Sequence, residues 1–423
     1  MEHIEIQPKK NVFEEIDKLG PNPNNFWQID FLKVWMMALV ILDHSIPHII
    51  MRLFHALAWE RIAIPVFMVV LGFNWTKSMK RLEDQSLKSL YSWERYFKPK
   101  IQRFVVPFAI IYGLSLIYLI LANVFIGSDF LSIIYYHPFN FPVPELHEPI
   151  LKIFLMLPIW GPGNWFIPML FLTILIFPLL YKLFSITPLF TLILCYIIEI
   201  GFQFSIRLFI NANGVDYRIN IFTFMPFMLM SAIGLGMWLA RDHRWDAIQN
   251  IIVWVLGLAS FAFVIYAIYF GWPVFAFWTV FDYNLFVYPY SALIVMLTLN
   301  IFPKSPSGPQ YRFITTLSKS TYHILTTQIF YFSLIYGLLL PFNAPFGTIS
   351  YPISFSQLNL QHVNYLWFYP VNLVITFTIG TLWQLVGTRF WNSHTKTRQR
   401  INQKRLEMMK SRGWIKPKEK TNS

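Results

Sequence analysis

The sequence predicts an all-α integral membrane protein: a polytopic bundle of about ten transmembrane helices with both termini cytoplasmic. Three observations lead there. Of its 423 residues, 56% are hydrophobic and only 13% charged, whereas ordinary soluble domains carry about 25% charged residues. Apolar runs that approach or exceed the roughly 20 residues needed to cross a bilayer recur along the chain. The basic residues, which give a formal net charge of +13, gather in alternate connections, and positive connections stay inside. The same distribution excludes nucleic acid as a partner, because no basic soluble face with interleaved aromatics exists. The partner it implies is the lipid bilayer. The single cysteine, Cys195, lies inside an apolar run, so neither a disulfide framework nor a cysteine-rich metal site is available, and an acyl-cysteine is disfavoured because apolar surroundings keep a thiol protonated.

Residues 1–25 are polar and read as a cytoplasmic tail, and the first apolar run is too long for the core of a cleaved signal, so it is expected to stay in the mature protein. That run, Phe26 to Ile50, carries Asp30, Lys33, Asp43 and His44. A short external link leads to a second run, Ile62 to Trp75. The stretch Thr76 to Arg103 holds eight Lys and Arg residues and reads as a cytoplasmic loop. A third span follows from Phe104 to about residue 126. The segment from Gly127 to Gly163, with Asp129, Glu145 and Glu148, reads as an external loop. A fourth span, Asn164 to Lys182, turns at Thr187 and Pro188 into a fifth, Leu189 to about residue 205, and the link with Arg207 and Arg218 is external. The sixth span is Ile221 to Ala240, followed by Arg241 and Arg244 inside; the seventh is Ile251 to Phe270. An eighth ends by Phe302, and the loop after it is cytoplasmic. The ninth covers about 314 to 340 and the tenth Tyr365 to Thr388. Residues 389–423 form a basic cytoplasmic tail that sets topology and meets anionic lipid. The membrane domain thus runs over 26–388, and no repeat of fixed period appears.

Chemistry concentrates in the first span. A charge at the centre of a membrane helix costs on the order of 2.5 to 3.5 kcal/mol, which makes such residues functional candidates. Lys33 and His44 are about three whole turns apart, roughly 16 Å of rise, and share a face. Asp30 joins that face as the ion-pair partner of Lys33. Asp43, adjacent to His44, is expected to point elsewhere. The plain alternative is a membrane anchor whose Lys33 snorkels and whose His44 packs neutral. Glycine-rich phosphate loops, Gly-x-Ser-x-Gly, His-Glu-x-x-His and a dinucleotide fingerprint are all missing. His44 and His48 have metal-like spacing, but Pro47 between them and the lack of an acidic third ligand argue against a metal. What remains is a histidine suited to act as general base toward a hydroxyl, with Lys98, Lys100 and Arg103 suited to a phosphate-bearing donor inside. Together they describe group transfer from a soluble nucleotide-linked donor to a hydroxyl acceptor. For the loop cations, stop-transfer charge is the competing reading. Glu199 and Asp282, in the fifth and eighth runs, are lesser candidates for the acceptor side, with a plain interhelical hydrogen bond as the alternative.

The stretch IDFLKVWMMALVILDHS resembles the opening of the membrane-bound acyltransferase 3 family, Asp-x-x-Arg, ten residues, then His, with Asp30, Lys33 and His44 on those positions. IPVFMVVLGFN, with Gly72 and Phe73, resembles its second span; KPKIQRFVVP resembles its Arg-x-x-Arg motif and puts Lys100, Arg103 and Pro107 on it. NWFIPMLFLTILIFPLL, through Trp165 and Phe166, is similar to its Trp-Phe span, FMPFMLMSAIGLGMWL to its glycine-rich span, and LSKSTYHILTTQIFY to its late Ser-Tyr-x-Ile-Tyr-Leu-x-His segment. The likeness covers about 26 to 388. It departs at three places: Lys33 stands for arginine, Leu71 for serine, and Gln328 for histidine; His323, five residues earlier, is not a helical neighbour of that position.

The resemblance implies a multi-pass O-acyltransferase of the cell membrane that takes an acyl group, with acetyl preferred, from acyl-CoA (acetyl-CoA) as co-substrate. The acceptor would be a hydroxyl of a cell-surface glycan or lipid-linked sugar. His44 would be the catalytic base or a transiently acylated group, Lys33, Asp30, Lys100 and Arg103 the donor side, and Gln328 and Trp165 lesser site candidates. No permanently bound cofactor is implied. A transporter or flippase of a polar solute or lipid, with no covalent chemistry, is the competing class.

Overall fold

A computed structural model describes residues 26–46, 50–51, 54–82, 86–125, 163–213, 225–241, 247–270, 285–303, 308–343 and 365–411. Every regular element among them is helical. In chain order the main helices are α1 (Trp27–Asp43), α2 (Ala63–Met79), α3 (Val106–Phe125), α4 (Phe166–Ile186), α5 (Pro188–Asn213), α6 (Met230–Leu239), α7 (Ala247–Phe270), α8 (Tyr288–Ile301), α9 (Pro309–Lys319), α10 (Thr321–Asn343) and α11 (Tyr365–Ser411).

Six helical segments among the described residues are long and apolar enough to cross a membrane: Leu57–Met79, Trp93–Tyr118, Phe166–Ile186, Pro188–Leu208, Val253–Phe270 and Trp367–Phe390. These match the expected second, third, fourth, fifth, seventh and tenth spans. The expected first span is α1, which is shorter, at 17 residues, and interrupted by charge; the sixth and eighth are shorter apolar helices, Pro226–Leu239 and Tyr288–Ile301. Large apolar side chains lie fully open along the outer helices, among them Ile117, Ile120 and Val124 on α3 and Leu382, Val386 and Phe390 on α11. An apolar belt of that extent suits lipid rather than water.

The bundle is built around α2, whose spanning segment is 67% buried, against 17% for α11 and 22% for α7. α2 packs most extensively on α6, then on α8 and α1, while α7 lies outside α8, α5 outside α6, and α10 between α11, α3 and α1. Close approach is made possible by glycine. A Cβ on Gly72 would stand 2.3 Å from the Ile233 carbonyl oxygen, and one on Gly236 only 1.9 Å from that of Val69. Small residues that let backbones touch are the ordinary device for joining helices in lipid, where apolar burial alone gives little drive. The same device joins α10 to α11, where a Cβ on Gly380 would meet the Ile324 backbone at 2.6 Å.

Three boundaries differ from expectation. The basic stretch before α3 is not all loop: helix begins at Trp93, so Lys98, Lys100 and Arg103 are helical residues. Two wide π-helical turns, Trp93–Phe97 and Ile101–Val105, flank Lys98–Lys100. Pro99 and Pro107 supply no N–H and would break a regular ladder; widened turns absorb that loss and are frequent at functional sites. The expected ninth span breaks at Ser320 into α9 and α10, and the polar, strongly two-faced α9 docks on α1. Finally, α11 continues to Ser411, so the first part of the expected tail is helix.

Candidate active site

α1 carries the site because its two ends are fixed by different neighbours. At its start, Gln28 donates through Nε2 to the carbonyls of Phe302 (2.9 Å) and Leu299 (3.4 Å), satisfying oxygens that the end of α8 leaves without helical donors. One turn on, Lys33 Nζ lies 3.0 Å from Asp30 Oδ1, and Ser318 Oγ at the end of α9 donates to the same oxygen at 2.6 Å. Asp30 is buried, and the Lys33 side chain keeps 16% exposure. Arg103 and Lys319 lie within electrostatic reach of Lys33, and Arg103 also within reach of Asp30. Asp30 therefore pairs directly with Lys33, and cations from two other parts of the chain, Arg103 and Lys319, gather around that pair.

Lys100 is held differently. Its Nζ stands 3.4 Å from the centroid of the Trp75 ring, 5.6 Å from Tyr96 and 6.0 Å from Phe104, and among the described residues it pairs with no carboxylate. Cation–π contact offsets part of the cost of burying the ammonium without neutralising it. Arg103 lies against the same Phe104 ring, at 5.4 Å, and Phe104 meets Tyr322 edge to face at 5.0 Å. Removing the anchor should be costly: Asp30→Ala is expected to destabilise the fold by about 3 kcal/mol, because a partly buried cation loses its partner, and Asp30→Asn by less, since the amide oxygen still accepts from Ser318. Thermal unfolding in detergent reads the difference; equal melting temperatures for wild type and Asp30→Ala would show that the pair contributes nothing.

At the other end, α1 stops at Asp43, and His44 (φ −88°, ψ 0°) closes it. The expectation that Asp43 cannot reach the ring is corrected here: His44 Nδ1 lies 3.4 Å from Asp43 Oδ2. His44 still donates its N–H to the Val40 carbonyl at 3.3 Å, so the backbone keeps its helical rotation, and the two side chains bridge that angle by their own rotamers. A carboxylate on Nδ1 favours the tautomer that leaves Nε2 as the acceptor. The ring of His44 meets Phe332 of α10 edge-on, 6.1 Å between centroids. Beside it, Asn372 of α11 donates to Ser45 Oγ at 3.0 Å and accepts from Tyr331 at 2.8 Å, and Tyr369 donates to the Ala38 carbonyl at 3.3 Å. α1, α10 and α11 are thus locked together around the histidine.

Of the lesser candidates, Gln328 is fully buried on α10, one turn before Phe332. Trp165 sits in the turn that opens α4; in that turn Gly163, at φ +86°, faces Leu325 and Ile329, which flank Gln328. Glu199 is buried between α5 and α6, where Oε2 accepts from the Ser231 N–H (2.9 Å) and hydroxyl (2.5 Å) and Oε1 from Gln203 (3.0 Å). That is the geometry of an interhelical hydrogen bond. Asp282 and His48 lie outside the described residues. Among the described residues no cluster of three His, Cys, Asp or Glu side chains forms. Sequence reading missed the roles of Ser318 and Tyr331, although both lie in the stretch LSKSTYHILTTQIFY, and of Asn372, for which a polar residue in an apolar run was the available signal.

α1 thus carries a histidine beside a carboxylate at one end and a group of cations at the other. The acyltransferase 3 family model, described as an acyltransferase domain, matches residues 26–384, and the chain belongs to that family. It is a membrane acyltransferase. No curated protein and no solved structure matches the chain significantly.

Proposed function

We propose that the chain is an integral O-acyltransferase of the cell membrane that moves an acetyl group from acetyl-CoA to a hydroxyl of a cell-surface glycan or lipid-linked sugar. One observation supports this above others: α1 carries at one end a cation anchored by Asp30, with Arg103 nearby, and at the other His44 backed by Asp43. On this reading the Asp30 end faces the cytoplasm, where the donor is made, and the basic connections agree with that orientation.

In the transfer, the acceptor hydroxyl attacks the thioester carbonyl while His44 Nε2 takes its proton. The new carbon–oxygen bond forms, the carbon–sulfur bond breaks, and the proton passes from the imidazolium to the departing thiolate. Asp43 holds the ring and stabilises its charged form. Lys33, Lys100 and Arg103 meet the donor's phosphates, with Asp30 placing Lys33. Arg103 offers the planar, bidentate fork that Lys33 lacks. Arg103→Gln is therefore expected to raise the KM for acetyl-CoA about tenfold, the worth of one charged hydrogen bond, with little change in kcat; a fall in kcat at unchanged KM would contradict a donor-binding role.

Purified protein in lipid discs, given acetyl-CoA and a lipid-linked sugar, should release free thiol only when the acceptor is present. Release that does not depend on acceptor, or no release at all, would count against the reading. The direct route from donor to acceptor is preferred over an acylated His44 because Asp43 on Nδ1 suits a base.

A further inference from the structure

Gln328 presents a cost that the folded chain does not explain. Its side chain is fully buried, and among the described residues neither Oε1 nor Nε2 has a hydrogen-bond partner. A single buried unpaired polar atom is already expensive, and a primary amide carries both a donor and an acceptor function. Thr326, two residues earlier, solves the problem locally by donating to the Tyr322 and His323 carbonyls, at 3.1 Å each, whereas Tyr322, His323 and Ser333 on the same helix each leave one buried polar atom without a partner among the described residues. Gln328 alone leaves both ends of its side chain so. Glutamine has no such recourse, and an apolar side chain of equal length would fill the space without the penalty.

The position is informative. Gln328 lies four residues before Phe332, on the same face of α10, and Phe332 carries the ring against His44. It is therefore about 6 Å along the axis from Phe332, displaced toward the start of α10, the end nearest Ser318 and its bond to Asp30. A ligand amide would give the orphan Nε2 a carbonyl oxygen to donate to. The arm of an acyl-CoA contains such a group: a secondary amide separated from the thioester sulfur by two methylenes, a spacing of the same order as one helical turn.

Resting on the acyl-CoA reading above, we propose that Gln328 is a positioning residue that pairs with the donor's amide nearest the thioester, setting the carbonyl against His44. Gln328 donates through Nε2 to the amide oxygen; the amide N–H, which points the opposite way in a trans amide, lies outside this contact. The enzyme then distinguishes thioesters that carry this amide from those that do not.

The test compares three donors on the full-length protein in lipid discs: acetyl-CoA, S-acetyl-N-acetylcysteamine, which keeps that one amide, and an S-acetyl alkanethiol of equal length without it. The wild type should favour the amide thioester over its alkane counterpart by about 10- to 100-fold in kcat/KM, the range expected for a buried polar pair. Gln328→Met, which keeps length and removes both hydrogen-bonding groups, should erase that preference while leaving the alkane donor within about threefold, and its melting temperature should not fall. Equal use of both short donors by the wild type, or a parallel loss for all donors in Gln328→Met, would overturn the proposal while leaving the acyltransferase reading intact. A wild type inert toward all three thioesters would overturn the acyl-CoA reading, and this proposal with it.

Discussion

His44→Ala is expected to lower kcat for acyl transfer by 10²- to 10⁴-fold, the range typical of a lost general base, at nearly unchanged donor KM. An imidazole is the kind of group that can take a proton from a hydroxyl and return it to a thiolate, and among the described residues His44 is the histidine at its end of α1. Its ring is half-buried, and its partners leave the fold otherwise intact: Ser45, Asn372 and Tyr331 keep their own hydrogen bonds without it. Loss of activity should therefore not be accompanied by loss of protein. His44→Gln keeps a polar side chain but no base and should be equally inactive. Asp43→Asn should cost less, about tenfold, because it misorients the ring without removing it; the 3.4 Å contact is long, which sets the effect at the low end. Single-turnover rates at saturating donor, with melting temperatures taken in parallel, separate these outcomes. A His44→Ala protein that melts like wild type and turns over like wild type would remove the histidine from the mechanism.

The largest structural effect is expected at the crossing of α2 and α6. At Gly236 a Cβ would fall 1.9 Å from the Val69 carbonyl oxygen, 2.8 Å from its carbon and 2.9 Å from the Phe73 nitrogen. All three are backbone atoms, so no rotamer change relieves the clash; the helices must separate along their whole contact. Gly236→Ala is expected to cost about 4 kcal/mol or more, in the range reserved for disrupted cores, and Gly236→Val to prevent assembly. Gly113 on α3 has nothing within 4 Å of its hypothetical Cβ; there alanine only improves helix propensity, so Gly113→Ala should be neutral or slightly stabilising. Monodisperse yield and melting temperature in detergent compare the two. A Gly236→Ala protein as stable as Gly113→Ala would mean the crossing is looser than described.

How much of this was legible in the sequence follows from the range of the interactions. The pair Asp30–Lys33 is local, three residues apart in one helix, and its spacing alone placed the two groups together. The long apolar runs likewise gave spans α4, α5 and α7 within a few residues. Motif likeness marked Gly72 as special but gave no reason; the carbonyl of Ile233, 161 positions away in sequence, supplies it. The helical start at Trp93 was hidden because Pro99 reads as a breaker, and only widened turns let the helix pass through it. The break at Ser320 was passed over although Ser318, Lys319, Ser320 and Thr321 interrupt the apolar run there; what the sequence does not show is that Ser318 bonds to Asp30 and draws α9 aside. Asp43 was misjudged because rotation per residue fixes only where the Cβ atoms point, and the two side chains meet across that angle at 3.4 Å. The roles of Asn372 and Tyr331, and the two unsatisfied atoms of Gln328, depend on neighbours from other helices and have no trace in local sequence.

The central claim is tested most directly by following labelled acetyl from acetyl-CoA into the glycan and lipid fractions of membranes that hold either the wild type or His44→Ala at matched levels. Label that accumulates with the wild type and stays at background with His44→Ala is the expected result. Label at equal levels in both membranes, or in neither, would contradict it.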